Sequence, residues 1–453
     1  MSFSKRNNPR LLPILLFAVL LPAVFAAEVP TAFALEPPQK AAAQSFAAQP
    51  AAAQSPATAY TLPPGKLAKA TALYRVSQGM WLAELVYGLA VLFLLCRWGV
   101  GARLRGLAEK VSSRRFVQAL IFVPLLLLGL DLLSLPFDLF GHFLGLKYGL
   151  SVQGWESWFL DWAKGELIGL PMLALLGWGF YEIVRRSPRR WWLWSWLLSA
   201  PLAVALVFLA PILLDPVFHH FEPLSRTQPE LVERIEGLAK RAGVEIPRER
   251  IFLMKASEKV TTYNAYVTGL GASKRIVIWD NTVRELPPAE VSFIVGHEMG
   301  HYALHHVWQG IAVMLAFSFF GFWLAWRLAE RTLARWGERW RIRRLDDWAS
   351  LPMLLLLASL LSVAGEPLGN AYSRHIEHQA DIYGLEVTHG LTANSSQAAA
   401  DSFQRMGENS LSYPWPNRVL VFWRYTHPPV ADRLRFALEY RPWEKGQAPR
   451  FVR

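Results

Sequence analysis

Apolar residues along this chain gather in runs long enough to cross a bilayer, at roughly 79–97, 116–140, 166–184, 191–214, 308–327 and 349–368. Runs of that length with few charges predict six membrane-spanning helices. Several contain carboxylates: Glu84, Asp131, Glu166 and Glu182. An ionisable group within a span normally faces the bundle interior or a water-filled cavity. Glu166 and Glu182 are expected instead at span ends, in the interface.

The remaining stretches read differently. Lys5, Arg6 and Arg10 precede an apolar run from Leu11 to Ala26, the layout of a secretory signal peptide cleaved after Ala26 or Ala27, or of an uncleaved anchor. Residues 28–65 are rich in Ala, Pro and Gln and read as a flexible linker. Residues 215–307 read as α/β. A polar helix is expected at 228–242, ending near Gly243. Short strands are expected at 251–254, 263–269 and 275–279, with Gly269 and Gly271 turning between the last two. A helix then starts at Pro287-Pro288 and runs to about His306. The expected organisation is a signal or anchor (1–27), a linker (28–65), four spans (66–214), an α/β catalytic domain (215–307), two spans (308–368) and a second catalytic part (369–453).

Composition supports a membrane chain. It is 53% hydrophobic with mean hydropathy +0.21, and holds 20 Trp and 26 Phe for lipid contact and interfacial belts. The net charge of +12 would also suit nucleic acid, but its placement argues otherwise. Arg97, Arg103, Arg105, Lys110, Arg114 and Arg115 crowd one connector. Arg185, Arg186, Arg189 and Arg190 crowd a second, and Arg327, Arg331, Arg335, Arg339, Arg341, Arg343 and Arg344 a third. The connector 141–165 carries only Lys147 and Lys164. The positive-inside rule puts the three basic connectors in the cytoplasm and 215–307 and 369–453 outside, in the periplasm for a bacterial inner membrane. No nucleic-acid partner is expected. Cys96 is the single cysteine, so no intramolecular disulfide can form.

Candidate chemistry lies on the helix after Pro287-Pro288. His297-Glu298-Met299-Gly300-His301 is H-E-x-x-H. Residues i and i+4 share a helix face, so both imidazoles can reach one ion, with Glu298 beside them to take a proton from the attacking water. Gly300 inside a helix costs about 1 kcal/mol in propensity, a hint of close packing. A catalytic zinc needs a third protein ligand. Downstream candidates are Glu366, His375, Glu377, His378 and Asp381. Glu377 and Asp381 share one helical face, which allows the first to bind metal and the second to orient a ligand histidine. His375 and His378 are expected to pack or face solvent, and His305 and His306 to sit at the membrane interface.

Four ordered motifs now resemble a family: Asn264-Ala265-Tyr266, His297 to His301, Ser373-Arg374 through Asp381, and Thr426-His427-Pro428-Pro429 followed by Arg433-Leu434. Leu135-Pro136-Phe137 and the stretch from Asp215 to Leu224 are softer matches. From about residue 65 onward the chain resembles the integral-membrane zinc metallopeptidases typified by the type 1 CAAX prenyl endopeptidase. The resemblance implies a mainly α polytopic bundle around an intramembrane chamber, capped by a small gluzincin-type α/β domain. It implies one zinc ion held by His297, His301 and Glu377, with Asp381 and Arg433 supporting the ligands. It also implies substrate backbone pairing at Asn264 and Ala265, and an oxyanion donor in His427. Two features depart from the family: the signal-like segment replaces a first span, and the charge pattern places the site outside rather than in the cytosol. The function expected is hydrolysis of peptide bonds in membrane-associated or misfolded proteins. A metal-stabilised scaffold or chaperone, and a transporter using Glu84 and Asp131, are the competing classes.

Overall fold

The computed structural model describes residues 56–269 and 274–452. The signal or anchor, most of the expected linker and Gly271 lie outside the described residues. Among them, six helices are long and apolar enough to cross a membrane. They are α1 (Pro64–Arg97), α3 (Arg115–Tyr148), α4 (Trp155–Arg186), α5 (Trp191–Leu213), α8 (His306–Trp336) and α9 (Leu351–Thr388). A shorter helix, α2 (Val100–Val111), connects α1 to α3. Large apolar side chains on these helices stay outside the protein interior, including Leu167 (77% exposed), Phe320 (65%) and Val86 (59%). Water would make that surface unfavourable at about 25 cal/mol per Å², whereas lipid solvates it. Prolines 124, 136, 171, 201, 211 and 367 all lie within these helices, as membrane helices tolerate.

The helix ends sort into two layers. At one end the three basic connectors meet: Arg105 reaches Asp347 at 2.5 Å, Arg343 reaches Glu109 at 2.7 Å, and Arg115 donates to the Asp346 carbonyl. Trp348 is buried there and donates to Gln118 Oε1 at 3.0 Å. Glu182 lies at this end among Arg115, Arg185 and Arg186. Glu166 lies in the same helix, which begins at Trp155, and is close enough to Asp131 for their charges to interact. Asp131 is fully buried and accepts from Trp162 Nε1 at 2.9 Å.

At the other end sits the α/β part. It contains α6 (Pro229–Arg241), α7 (Pro288–Ala303), α10 (Ser395–Asn409), α11 (Arg418–Arg424) and α12 (Val430–Glu439). A four-stranded sheet is formed by β1 (Phe221–Pro223), β2 (Ile251–Met254), β3 (Ala265–Thr268) and β4 (Arg275–Trp279) in the order β1-β2-β4-β3. The β2 and β4 strands are parallel, with Ile251 opposite Ile276. Edge strand β3 runs antiparallel to β4, with Ala265 opposite Ile278. Leu253, Ile276 and Ile278 of the sheet pack with Phe293 and Met299 of α7, Tyr383 of α9 and Leu434 of α12. Such fully buried apolar side chains contribute about 1.5–3 kcal/mol each.

The last part of the expected linker is not loose. Residues 57–62 strap across α10: Ala57 N–H donates to Asp401, Thr61 exchanges hydrogen bonds with Gln404, and Tyr60 donates to the Ser412 carbonyl at 2.7 Å. Tyr60 and Leu62 are buried in the core, and a Cβ at Gly407 would lie 2.6 Å from the Tyr60 ring. Two apolar side chains with matched backbone partners are enough to order a segment whose composition alone reads as coil.

Candidate active site

The helix α7 starts on Pro287-Pro288, whose missing N–H is harmless in a first turn. It brings His297, Glu298 and His301 against α9. That helix has 38 residues and spans about 57 Å at 1.5 Å per residue, so it crosses the bilayer and continues into the α/β part carrying Glu377 and Asp381. Three glycines set the close approach of α7 and α9. A Cβ at Gly296 would lie 2.8 Å from Val387 Cγ1, one at Gly300 2.9 Å from Tyr383 Cβ, and one at Gly384 3.0 Å from the His297 backbone nitrogen. Gly384→Ala is expected to cost about 1–3 kcal/mol by pushing the helices apart, and to lower metal content with it. Thermal unfolding and metal analysis check this, with Gly365→Ala as control. Nothing lies within 4 Å of a Cβ there, so both readouts should stay at wild type.

Among the described residues, His297, His301 and Glu377 form the group of three that could hold a metal ion. The three side chains form a triangle: His297 Nε2 lies 3.2 Å from His301 Nε2 and 3.3 Å from Glu377 Oε2, while His301 Nε2 lies 3.3 Å from the other oxygen, Oε1. A tetrahedral ion with bonds of ~2.0–2.1 Å needs donors about 3.3–3.4 Å apart, close to the spacing of the two imidazole nitrogens and of each from the carboxylate oxygen facing it. The donor set of two imidazoles and one carboxylate also fits a catalytic zinc. Glu377 Oε2 is buried with no hydrogen bond of good alignment, consistent with an oxygen set aside for a cation.

Further charges surround this triangle. Asp381 is 1% exposed and lies 2.9 Å from His297 Nδ1. It accepts from Arg433 twice, at 2.9 Å from Nε and 2.5 Å from Nη2, and the guanidinium lies 4.6 Å above the Phe403 ring. Burial alone would lower the pKa of His297. Its hydrogen bonds to the Asp381 and Glu377 carboxylates, with their charges, outweigh it and raise the value to about 9. Burial pushes the half-buried Glu298 above the usual carboxylate range, against the pull of His297 and His301.

His427 joins from the turn before α12. Its Nε2 lies 3.1 Å from Glu377 Oε2, and its Nδ1 lies 2.9 Å from Thr426 Oγ1. If the threonine hydroxyl donates to Nδ1, the ring carries its proton on Nε2, facing the site. Asn264 and Ala265 lie where β3 begins. Asn264 uses its backbone inward, donating to Thr282 Oγ1 at 2.7 Å and accepting from Trp279 N–H at 3.0 Å. Antiparallel alternation then turns the N–H and C=O of Ala265 toward the open sheet edge.

The other histidines divide. His378 packs on the Phe436 ring at 4.3 Å, and the exposed His375 reaches Gln379 at 3.3 Å. Glu366 lies roughly three turns back along α9, near Asn370 and Arg424, outside the triangle. His306, at the start of α8, faces the protein interior. It is 2% exposed, with Nδ1 3.1 Å from His301 Nδ1 and Nε2 3.0 Å from Gln379 Oε1. The expected helix to His306 in fact ends at Ala303. His305 takes φ +58°, and α8 starts afresh at His306. That break turns His306 back onto His301.

A polytopic helical bundle carrying an H-E-x-x-H helix packed on a carboxylate-bearing helix defines an integral-membrane zinc metalloprotease. Residues 225–441 match the profile of peptidase family M48, and residues 49–220 match the CAAX prenyl protease N-terminal region of five membrane helices. The uncharacterized metalloprotease YhfN of Bacillus subtilis is 36% identical over 374 residues, covering 83% of this chain and 86% of its own. The chain belongs to peptidase family M48. It is also 27% identical to CAAX prenyl protease 1 of Saccharomyces cerevisiae, covering 71% of this chain and 72% of that one. The fold is shared with the crystal structure of S. mikatae Ste24p, at a TM-score of 0.70 and 23% identity, covering 84% of this chain and 90% of that one.

Proposed function

We propose that this protein is a zinc metalloendopeptidase that cleaves extended segments of membrane-associated or misfolded proteins, with its site on the outer face of a bacterial inner membrane. The observation that carries the chemistry is the convergence of His297, His301 and Glu377 beside Glu298 and His427. His297, His301 and Glu377 would hold one zinc ion, which when bound acidifies water and polarises a carbonyl. A substrate segment adds to the free edge of β3, pairing with Ala265 and held in register beside Asn264. Glu298 takes the proton of the attacking water and returns it to the leaving amine. His427 Nε2–H donates to the carbonyl oxygen as negative charge builds there. Asp381 and Arg433 hold His297 in the tautomer that presents Nε2. The test is metal content and cleavage of casein or peptides by detergent-purified protein.

The outward orientation rests on the arginines clustered at the end of the bundle opposite the site. Single cysteines report it, because the native Cys96 is buried. Glu249→Cys, on the α/β part, should react with a membrane-impermeant maleimide in cells whose outer membrane has been permeabilised. Glu338→Cys, in the basic connector, should react only after lysis. The reverse pattern would place the site in the cytosol.

A further inference from the structure

The two histidines of the metal triangle are held from behind in different ways. His297 Nδ1 faces a carboxylate, Asp381. His301 Nδ1 faces His306 Nδ1 at 3.1 Å, His306 Nε2 faces Gln379 Oε1 at 3.0 Å, and Gln379 Nε2 faces His375 Nε2 at 3.3 Å. We infer that His306 and Gln379 are positioning residues, forming a neutral hydrogen-bonded chain that fixes His301 in its metal-binding tautomer. This rests on the reading of His301 as a zinc ligand.

One assignment of protons satisfies the whole chain. To offer a lone pair at Nε2, a neutral His301 must carry its proton on Nδ1. That N–H needs an acceptor, so His306 Nδ1 is unprotonated and the His306 proton sits on Nε2. This second N–H donates to an oxygen, and the Gln379 side chain does present Oε1 there. Its amide nitrogen is then left to donate outward, to His375 Nε2. Reversing any link would set two donors or two acceptors face to face. The chain is also chemically economical. The pocket already holds Glu298, Glu377 and Asp381, and a fourth carboxylate behind His301 would add repulsion in a place of low dielectric. An imidazole and an amide orient the ring without that charge. Burial of His306 at 2% exposure shields the chain from competing water.

Zinc affinity, read by chelator competition, and the ligand-field spectrum of the cobalt-substituted protein test this. His306→Leu removes the acceptor and should weaken zinc binding about 10–100-fold, with an altered cobalt spectrum. His306→Asn should restore both toward wild type, because the Asn Oδ1 stands two bonds from Cβ, as Nδ1 does. His301→Ala is the control for the underlying reading. Zinc bound as tightly by His301→Ala as by wild type would show that the site itself was misassigned. Zinc lost by His301→Ala but kept by His306→Leu would overturn the positioning role alone. Equal weakening by Leu and Asn at 306 would reduce it to packing and overturn it too. Should His306→Leu fail to fold, Gln379→Leu against wild type tests the chain from the far end, with zinc binding weakened and the cobalt spectrum altered. Equal affinities there would overturn the chain.

Discussion

Glu298→Gln should leave the protein folded and metal-loaded, and lower kcat for peptide cleavage by roughly 10²–10⁴-fold. The amide keeps the shape of the side chain and removes its capacity to accept a proton. None of the three metal-facing donors is touched, so metal content should match wild type, whereas His301→Ala should lose metal and cleavage together. The pH profile adds a second check. In the proposed role Glu298 must be a carboxylate, so activity should be lost as pH falls through its pKa. Burial raises that pKa above its ordinary 4.5, so the acidic limb of kcat/KM should lie above pH 4.5. A mutant that cleaves at the wild-type rate would remove Glu298 from the mechanism. Metal in both proteins with cleavage in neither would favour the scaffold class.

The parts of this molecule that were legible in its sequence are those governed by local pattern. Bilayer-length apolar runs mark the spans because lipid imposes one length on all of them. The H-E-x-x-H helix is legible because metal spacing and helix periodicity coincide at i, i+4. Gly300 also spoke through a local cost, and its position against Tyr383 supplies the reason for it. What was hidden depends on contacts between distant segments or on breaks in periodicity. His306 stands five residues after His301, off the shared face of any continuous helix. Only the left-handed turn at His305 redirects it, and a histidine does not announce positive φ as a glycine would. Tyr60 and Leu62 find their partners only across the fold, on and beside α10, which the linker-like composition of 28–65 does not reveal.

Arg433→Met should be the most destabilising single change around the site, by about 3 kcal/mol in the metal-free protein. That is the lower end for breaking a buried pair, since His297 stays beside Asp381 as a second cation. The guanidinium makes two hydrogen bonds to a carboxylate that is 1% exposed, and Met would leave that charge without them. The double variant Asp381→Asn with Arg433→Met removes the charge as well as its partner. It should regain much of the lost stability, because an uncharged pair of similar volume has little desolvation cost to offset. Zinc affinity should not recover in parallel. An amide oxygen can still accept from His297 Nδ1–H, but it withholds the negative charge that makes Nε2 a stronger donor. Stability would then follow the ion pair, and affinity the carboxylate. Thermal unfolding of the metal-free proteins, beside chelator competition on the same preparations, separates the two. Additive losses in the double variant would mean that Arg433 acts on α12 through its contact with Phe403 rather than through Asp381.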